Sequence, residues 1–376
     1  MRSFDLIIVG AGIVGCACAL ECTRAGMRVG IVEGGAPAGA ATGAAMGHIV
    51  VMDDSPAQLA LTRYSQSLWQ QMSAQLPAAV EYKQRGTVWV AASDEEMHAL
   101  FAKREMYASA RVESHLLDAQ ALAEAEPNLR AGLAGGLRVP NDAVIDPPVA
   151  AAFFLQEAAR GGTLLLQGYA ADGIANGTVT LTDGSAFIAD RIIVATGADT
   201  ALLPWLPIRK RKGHLLITGP RPGFLHHQLV ELAYLKSTHD LTSDSVAFNI
   251  QPRLNGQLLI GSSRQFGNED PAIDQNVLHA MVERARSFLP ALADVPGVHA
   301  WTGFRAATPD KLPLIGPTND PAIYLAVGFE GLGITNSLAA ARLLVDSLLQ
   351  REPEIDATPF LPSRFAALET KHKEIV

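Results

Sequence analysis

Three glycines and one acid carry the clearest chemistry in this chain. Gly10, Gly12 and Gly15 stand in the spacing Gly-x-Gly-x-x-Gly with Ala11, Ile13 and Val14 between them, and Glu33 follows. In a strand–turn–helix unit the first glycine makes the tight turn, the second lets backbone approach a pyrophosphate, and the third lets helix and strand pack closely. The helix start then offers free N–H groups and a positive dipole end to the diphosphate. An acid roughly 20 residues past the glycines accepts from ribose hydroxyls and repels a 2′-phosphate, so NADP is disfavoured. These residues predict a dinucleotide site and leave FAD and NAD both open.

Other residue types invite chemistry less strongly. Cys16, Cys18 and Cys22 are too close on one helix for ordinary disulfide geometry and lack the histidines or fourth thiolate of a metal site. They read as small packing residues in a reducing compartment, and no metal is expected. Asp53-Asp54 and Glu95-Glu96 are sequence neighbours, which do not face each other on a helix. They read as solvated charges or helix starts. His48 closes the small-residue run 34–47 and is a candidate pocket residue. The basic run 209–212 reads as a charged edge or turn entering a strand at 214–218, in preference to an RNA contact.

The elements that must position these residues follow from pattern. Residues 5–9 are a short unbroken apolar run, suiting a parallel strand covered on both faces. A helix at 16–24 and a second strand at 27–32 complete the unit, and the run 34–47 reads as a loop passing under the cofactor. Ser55 with Pro56 predicts a capped helix over 55–72. A strand at 82–92, helices at 94–111 and 149–160, and a strand ending in Ala-Thr196-Gly197 come next. From about 215 to 300 the pattern changes to alternating, mainly antiparallel strands with one helix at 273–288. A last strand at 322–327, a glycine turn at 328–333 and a helix over 334–349 make a second positive helix end, suited to the electron-rich edge of a reduced flavin. NAD enzymes have no need of it.

Composition sets outer limits. The 376 residues suffice for two connected domains, and 48% hydrophobic with 18% charged residues describes a globular chain with an ample core. A net charge of −8 opposes general nucleic-acid binding. Arg2 and the apolar stretch before Cys16 imitate a lipoprotein leader, but cleavage there would discard the glycines that give Glu33 its meaning. No apolar run reaches the length of a membrane-spanning helix.

Taken together, the glycine fingerprint with Glu33, the Ala-Thr-Gly197 strand, Gly303-Phe-Arg305 with Thr308-Pro-Asp310 and Pro313-Leu-Ile-Gly316, and Gly328-Phe-Glu-Gly-Leu-Gly-Ile-Thr335 resemble the D-amino-acid oxidase-like FAD-dependent oxidoreductases. The motifs occur in family order over nearly the whole chain. Within the family, residues 249–253, 259–264 and 330–335 look most like the flavin subunits of D-hydroxyproline dehydrogenase, opine oxidase and hydrogen cyanide synthase.

The resemblance implies a Rossmann-like α/β FAD-binding domain from 1–82, 141–214 and 301–376, and an α+β substrate-binding domain with a mainly antiparallel sheet from 83–140 and 215–300. It implies non-covalent FAD contacting Gly10, Ala11, Gly12, Ile13, Val14, Gly15, Glu33, Gly34, Thr42, Ala45, Met46, Gly47, Ala171, Thr196, Gly197, Gly303, Glu330, Gly331, Leu332, Gly333, Ile334 and Thr335. It implies oxidation of a small D-amino or cyclic imino acid, such as D-hydroxyproline or D-proline, by hydride transfer from the carbon beside the carboxylate to flavin N5. Arg305 would clamp that carboxylate, with His48 and Asn249 in the same pocket. Asn249 stands where glycine-oxidase-like relatives have a tyrosine, Phe329 where many have histidine, and Ala306 replaces a common proline. The narrower match implies a cytoplasmic chain with partner subunits carrying an iron–sulfur cluster or a second flavin, and electrons passing on to a membrane quinone. An oxygen-using glycine, sarcosine or opine oxidase is the alternative, and a flavin-containing tRNA-modification module the alternative of another class.

Overall fold

A computed structural model describes residues 3–232 and 244–366. Arg2 of the leader-like pattern lies outside the described residues. Two large sheets organise the chain. The first runs, in spatial order, Leu314–Pro317, Ile323–Val327, Ala186–Val194, Ser3–Val9, Val29–Glu33 and Leu164–Gln167. Its central pairings are parallel. A hairpin, Ala171–Ala175 and Thr178–Leu181, is added against Ala186–Val194.

Ser3–Val9 is covered on both faces, as its unbroken apolar run requires. Leu6 and Ile8 join a cluster with the helices Ile13–Arg24, Pro56–Met72, Pro147–Arg160 and Gly333–Leu348, whereas Phe4, Ile7 and Val9 join another with Val179, Leu181 and Leu206. The three cysteine side chains are buried and free in the first cluster. Burial pushes the Cys16 and Cys22 thiols up to about 12. Their packing role agrees with the reading from spacing. Ser55 caps the helix Pro56–Met72 by accepting from Gln58 N at 3.1 Å, with proline at its first turn.

The second sheet runs Gly297–Ala307, Arg209–Thr218, Leu258–Phe266, Ser245–Pro252, Gln228–Glu231, Thr87–Ala91, Gly135–Val139 and His115–Asp118. All its pairings are antiparallel except Gln228–Glu231 with Thr87–Ala91. One face packs on the helix Gln275–Phe288, where Phe248 stacks on Phe288 at 4.5 Å between centroids. Burying each such ring contributes about 1.5–3 kcal/mol. The opposite face meets the first sheet's loops: Leu215 and Leu259 pack on Met46, and Gln251 Nε2 donates to Met46 O at 2.8 Å. The strands Arg209–Thr218 and Gly297–Ala307 run unbroken through positions 214/215 and 300/301, where the sequence pattern divides the chain.

Two charged segments differ from expectation. The basic run 209–212 opens a strand instead of an exposed edge, and Arg211 and Lys212 are each 1% exposed. Asp53 is not solvated but forms a buried pair with Lys103, whose ammonium lies over the Trp89 and Tyr107 rings. Glu96 is the helix start expected of it, accepting from Ala92 N at 2.6 Å.

Candidate functional site

Two of the three N-terminal glycines, Gly10 and Gly15, are required by contact. Gly10 adopts φ +107°, and a Cβ there would lie 2.6 Å from Ala195 O. A Cβ on Gly15 would lie 1.9 Å from Gly10 O, so any side chain would force the helix off the turn. Gly12 caps the helix without a side-chain hydrogen bond, and Thr42 Oγ1 accepts from Ile13 N at 3.0 Å. The helix begins at Ile13, earlier than its apolar pattern indicated. Parallel strands on either side of Ser3–Val9 place this turn at the carboxyl edge of the sheet, where α/β folds bind ligands.

Glu33 ends its strand with both oxygens aligned by backbone, accepting from Ala11 N and Gly35 N at 2.8 Å each. A carboxylate oxygen has a second lone pair, so the group keeps capacity for ribose hydroxyls. The small-residue run then stays close: Ala38 N donates to Ala11 O at 2.9 Å, and a Cβ on Gly34 would meet Ala170 Cβ at 2.8 Å. Ala171 begins the added hairpin beside that contact. Gly47, at φ +97°, would bring a Cβ within 2.1 Å of Ile145 O. Ala44, next to Ala45, accepts from Trp301 Nε1 at 3.3 Å and leaves no room for a side chain on Gly303, whose Cβ would be 2.5 Å away. Thr196 gives its hydroxyl to Asp199 O at 2.6 Å, while its backbone N passes Gly10. Gly197 takes φ +65°. These residues make a cradle of bare backbone that fits an extended dinucleotide diphosphate, and its carboxylate suits the ribose.

The second glycine turn adjoins the first. Gly333 would put a Cβ 3.9 Å from Val14, and the helix Gly333–Leu348 starts at Leu332 with no side-chain cap. Ile334 and Thr335 are buried in its first turn. Thr335 Oγ1 donates to His48 O at 3.0 Å and accepts from Val50 N at 3.2 Å, tying this helix to the small-residue segment. Glu330 takes a left-handed φ of +53°, its N donating to Ala306 O at 2.8 Å and its carboxylate pairing with Arg211.

On the facing sheet, Arg305 lies across Gly213: a Cβ on Gly213 would be 2.5 Å from Nη1, which donates to Ser263 O at 3.0 Å. A Cβ on Gly331 would lie 3.5 Å from Arg305 Nε, so this guanidinium borders the second glycine turn. Ser263 is held in turn by His214, whose Nδ1 lies 2.9 Å from Ser263 Oγ and whose Nε2 accepts from Asp274 N at 3.0 Å. Asn249 is buried opposite Gly261, two residues from Ser263, and its Oδ1 has no partner. His48 is half-buried and Nε2 lacks a partner. Burial pushes its pKa down to about 4, against an opposing hydrogen bond with Gln251, so the ring is neutral at pH 7. Gln251 and Asn249 are alternate residues of one strand and share a face. His48 and Asn249 thus meet the same patch of sheet.

Residue types and spacing passed over several members of this region. Arg211, directly opposite Arg305 on the neighbouring strand, sits in a run that looks like surface charge. Lys311 carries a depressed pKa, chiefly through burial, with Asp54 and Glu330 opposing and Arg211 and Arg264 adding to the shift. Asp142 is buried among Val51 N, Gln66 and Thr87, and desolvation raises it to about 7. No alternation in 209–218 marks Arg211 as inward-facing, since burial runs unbroken from Arg211 to Leu215.

Residues 5–347 match the family described as FAD dependent oxidoreductase. The chain is 28% identical to a D-amino acid dehydrogenase of Rhodopseudomonas palustris, covering 82% of this chain and 72% of that one. It is 26% identical to a glycine oxidase of Geobacillus kaustophilus over 96% of this chain and 97% of that one. It is 24% identical to hydrogen cyanide synthase subunit HcnC of Pseudomonas protegens, over 99% and 98%. The crystal structure of the Geobacillus kaustophilus glycine oxidase superposes with a TM-score of 0.86 over 96% of this chain and 98% of that chain, at 24% identity. That of L-proline dehydrogenase from P. horikoshii also reaches 0.86, at 21% identity over 97% and 98%. With the glycine cradle, the ribose acid and the second helix start in place, this chain belongs to the FAD-dependent oxidoreductase family, and FAD is its cofactor.

Proposed function

We propose that the protein oxidises the carbon–nitrogen bond of a small D-amino or cyclic imino acid, D-proline and D-hydroxyproline being the leading candidates. The observation that carries this reading is Arg305, a guanidinium fixed by Ser263 O and lying against the second glycine turn. A planar fork suits a carboxylate bidentately, which a lysine cannot reproduce. The amino-acid-acting relatives point the same way. Bound FAD supplies a two-electron acceptor. Gly10 to Gly15, Glu33 and the segment from Gly34 to Gly47 would hold its dinucleotide half. Ala171, Thr196 and Gly197 would border the adenosine end, and Gly303 with Glu330 to Thr335 the ring end. In this reading the first sheet and its helices carry the flavin and the second sheet carries the substrate. His48, neutral at pH 7, adds no cation to compete with Arg305. Asn249 offers an unpartnered acceptor to an amine or hydroxyl.

The similarity to hydrogen cyanide synthase subunits supports work in a complex with partner subunits, which would carry electrons onward through an iron–sulfur cluster or a second flavin. Three buried thiols suit a cytoplasmic setting. The test is a dye-linked screen of D-proline, hydroxyprolines, sarcosine, glycine and opines, with peroxide release measured in parallel. Dye reduction by a D- or cyclic imino acid without peroxide is the expected outcome; peroxide at the rate of turnover would make the chain an oxidase instead. Arg305→Lys should lower kcat/KM on the order of a hundredfold with FAD retained. Wild-type kinetics in that variant would remove Arg305 from the carboxylate site.

A further inference from the structure

Arg211 has a surplus of donors that the fold does not use. It is 1% exposed, its guanidinium carbon lies 4.3 Å from the centroid of the Phe266 ring, and Nη1 donates to Glu330 Oε1. Nε and Nη2 have no hydrogen-bond partner, and neither has Glu330 Oε2. A bidentate pair with Glu330, the strongest arrangement open to the two groups, is therefore not made. Arg211 also stands directly opposite Arg305 across antiparallel strands, so both side chains leave the same face of the sheet. Like charges in that relation weaken a ladder, and the pair with Glu330 and the Phe266 ring offset only part of the cost of burying a guanidinium with idle donors. Lys311 brings another cation into the field of Arg211 and Glu330. Glu330 itself is held in a left-handed conformation unusual for its type, with its carboxylate on Arg211. The arrangement keeps Arg211 in place while leaving Nε and Nη2 buried without a partner.

We propose that Arg211 binds a second acidic group of the substrate, so that the site takes dicarboxylic amino or imino acids with one carboxylate on Arg305 and the other on Arg211. This rests on the amino-acid reading above and adds dicarboxylic substrates to it, D-proline and D-hydroxyproline using Arg305 alone. It separates substrates by charge: a monocarboxylate leaves the Arg211 donors idle, and a dicarboxylate satisfies them.

The test uses the purified FAD-loaded protein and two readouts. Propionate is titrated against malonate, succinate and glutarate through the flavin absorbance, which needs no turnover. The KM of sarcosine is compared with that of iminodiacetate, and that of D-2-aminobutyrate with that of D-glutamate. The expected result is that at least one dicarboxylate binds about tenfold or more tighter than its monocarboxylate partner. In Arg211→Leu the ratio should collapse towards one, with Arg211→Lys between. Equal binding of mono- and dicarboxylates by the wild type overturns the proposal, whether or not a variant folds. So does an unchanged ratio in Arg211→Leu, or an equal weakening of both classes, which marks a structural role. If no amino acid bleaches the flavin while the dicarboxylate preference persists, the amine-oxidation reading fails and the acid-binding site stands.

Discussion

Glu33 serves the fold directly, and the cofactor as well in the proposed reading. By accepting from Ala11 N and Gly35 N it closes the glycine turn, and in the proposed reading its remaining lone pairs serve the ribose. Glu33→Gln keeps the size but replaces one acceptor oxygen by a donor that opposes a backbone N–H. The loss of charge-assisted bonds should weaken FAD retention by about tenfold or more, with little effect on substrate preference. Flavin occupancy after dialysis checks this, and full occupancy would count against the ribose role. His48 makes a prediction of opposite kind. Its folded pKa of about 4 is below the ordinary histidine value, so between roughly pH 6.5 and that value the unfolded chain binds a proton that the folded chain refuses. Stability contributed by neutral His48 is complete above that window and is lost as pH falls through it, by a few kcal/mol at most. Denaturant unfolding of the wild type and His48→Gln across this range should give curves that converge or cross on acidification. Parallel curves would show that the surroundings of His48 do not hold the ring neutral.

At the scale of elements, the glycine turns are where sequence and structure agree most closely, because steric demand at a turn is local. Gly15 must be glycine for the first helix to sit on Gly10, whatever the rest of the chain does. Gly15→Val should therefore destabilise the flavin-bearing sheet and its helices by several kcal/mol, in the range of strained core substitutions. Thermal unfolding would check it, and an unchanged midpoint would mean that the helix is free to move off the turn. The same logic explains what was legible. Ser55 capping, the buried central strand and the antiparallel second sheet all follow from short-range pattern. Arg211 and Asp53 do not, since a charge reads as exposed until its partner is known, and theirs are far away in sequence at Glu330 and Lys103. Arg305 lay in between. The family pattern picked it out, yet its support by Ser263 and the space above Gly213 could be found only once the strands were paired.

Across the whole molecule, the site lies where two sheets meet. Met46 and Ala44 on the glycine-rich segment touch Gln251 and Trp301 on the second sheet, so the glycine cradle and the Arg305 guanidinium are fixed relative to each other by direct bonds. Among the described residues no helix is long and apolar enough to cross a membrane. The central claim is that FAD, bound at the N-terminal glycines, accepts electrons from a substrate whose carboxylate is held by Arg305. Anaerobic mixing of the purified protein with D-proline, and separately with pyrrolidine, its counterpart without the carboxylate, tests that claim most directly. The account predicts a yellow protein bleached rapidly by the acid and negligibly by the amine, with the difference reduced in Arg305→Lys. A protein that is colourless as purified, or one bleached equally by both compounds, would contradict it.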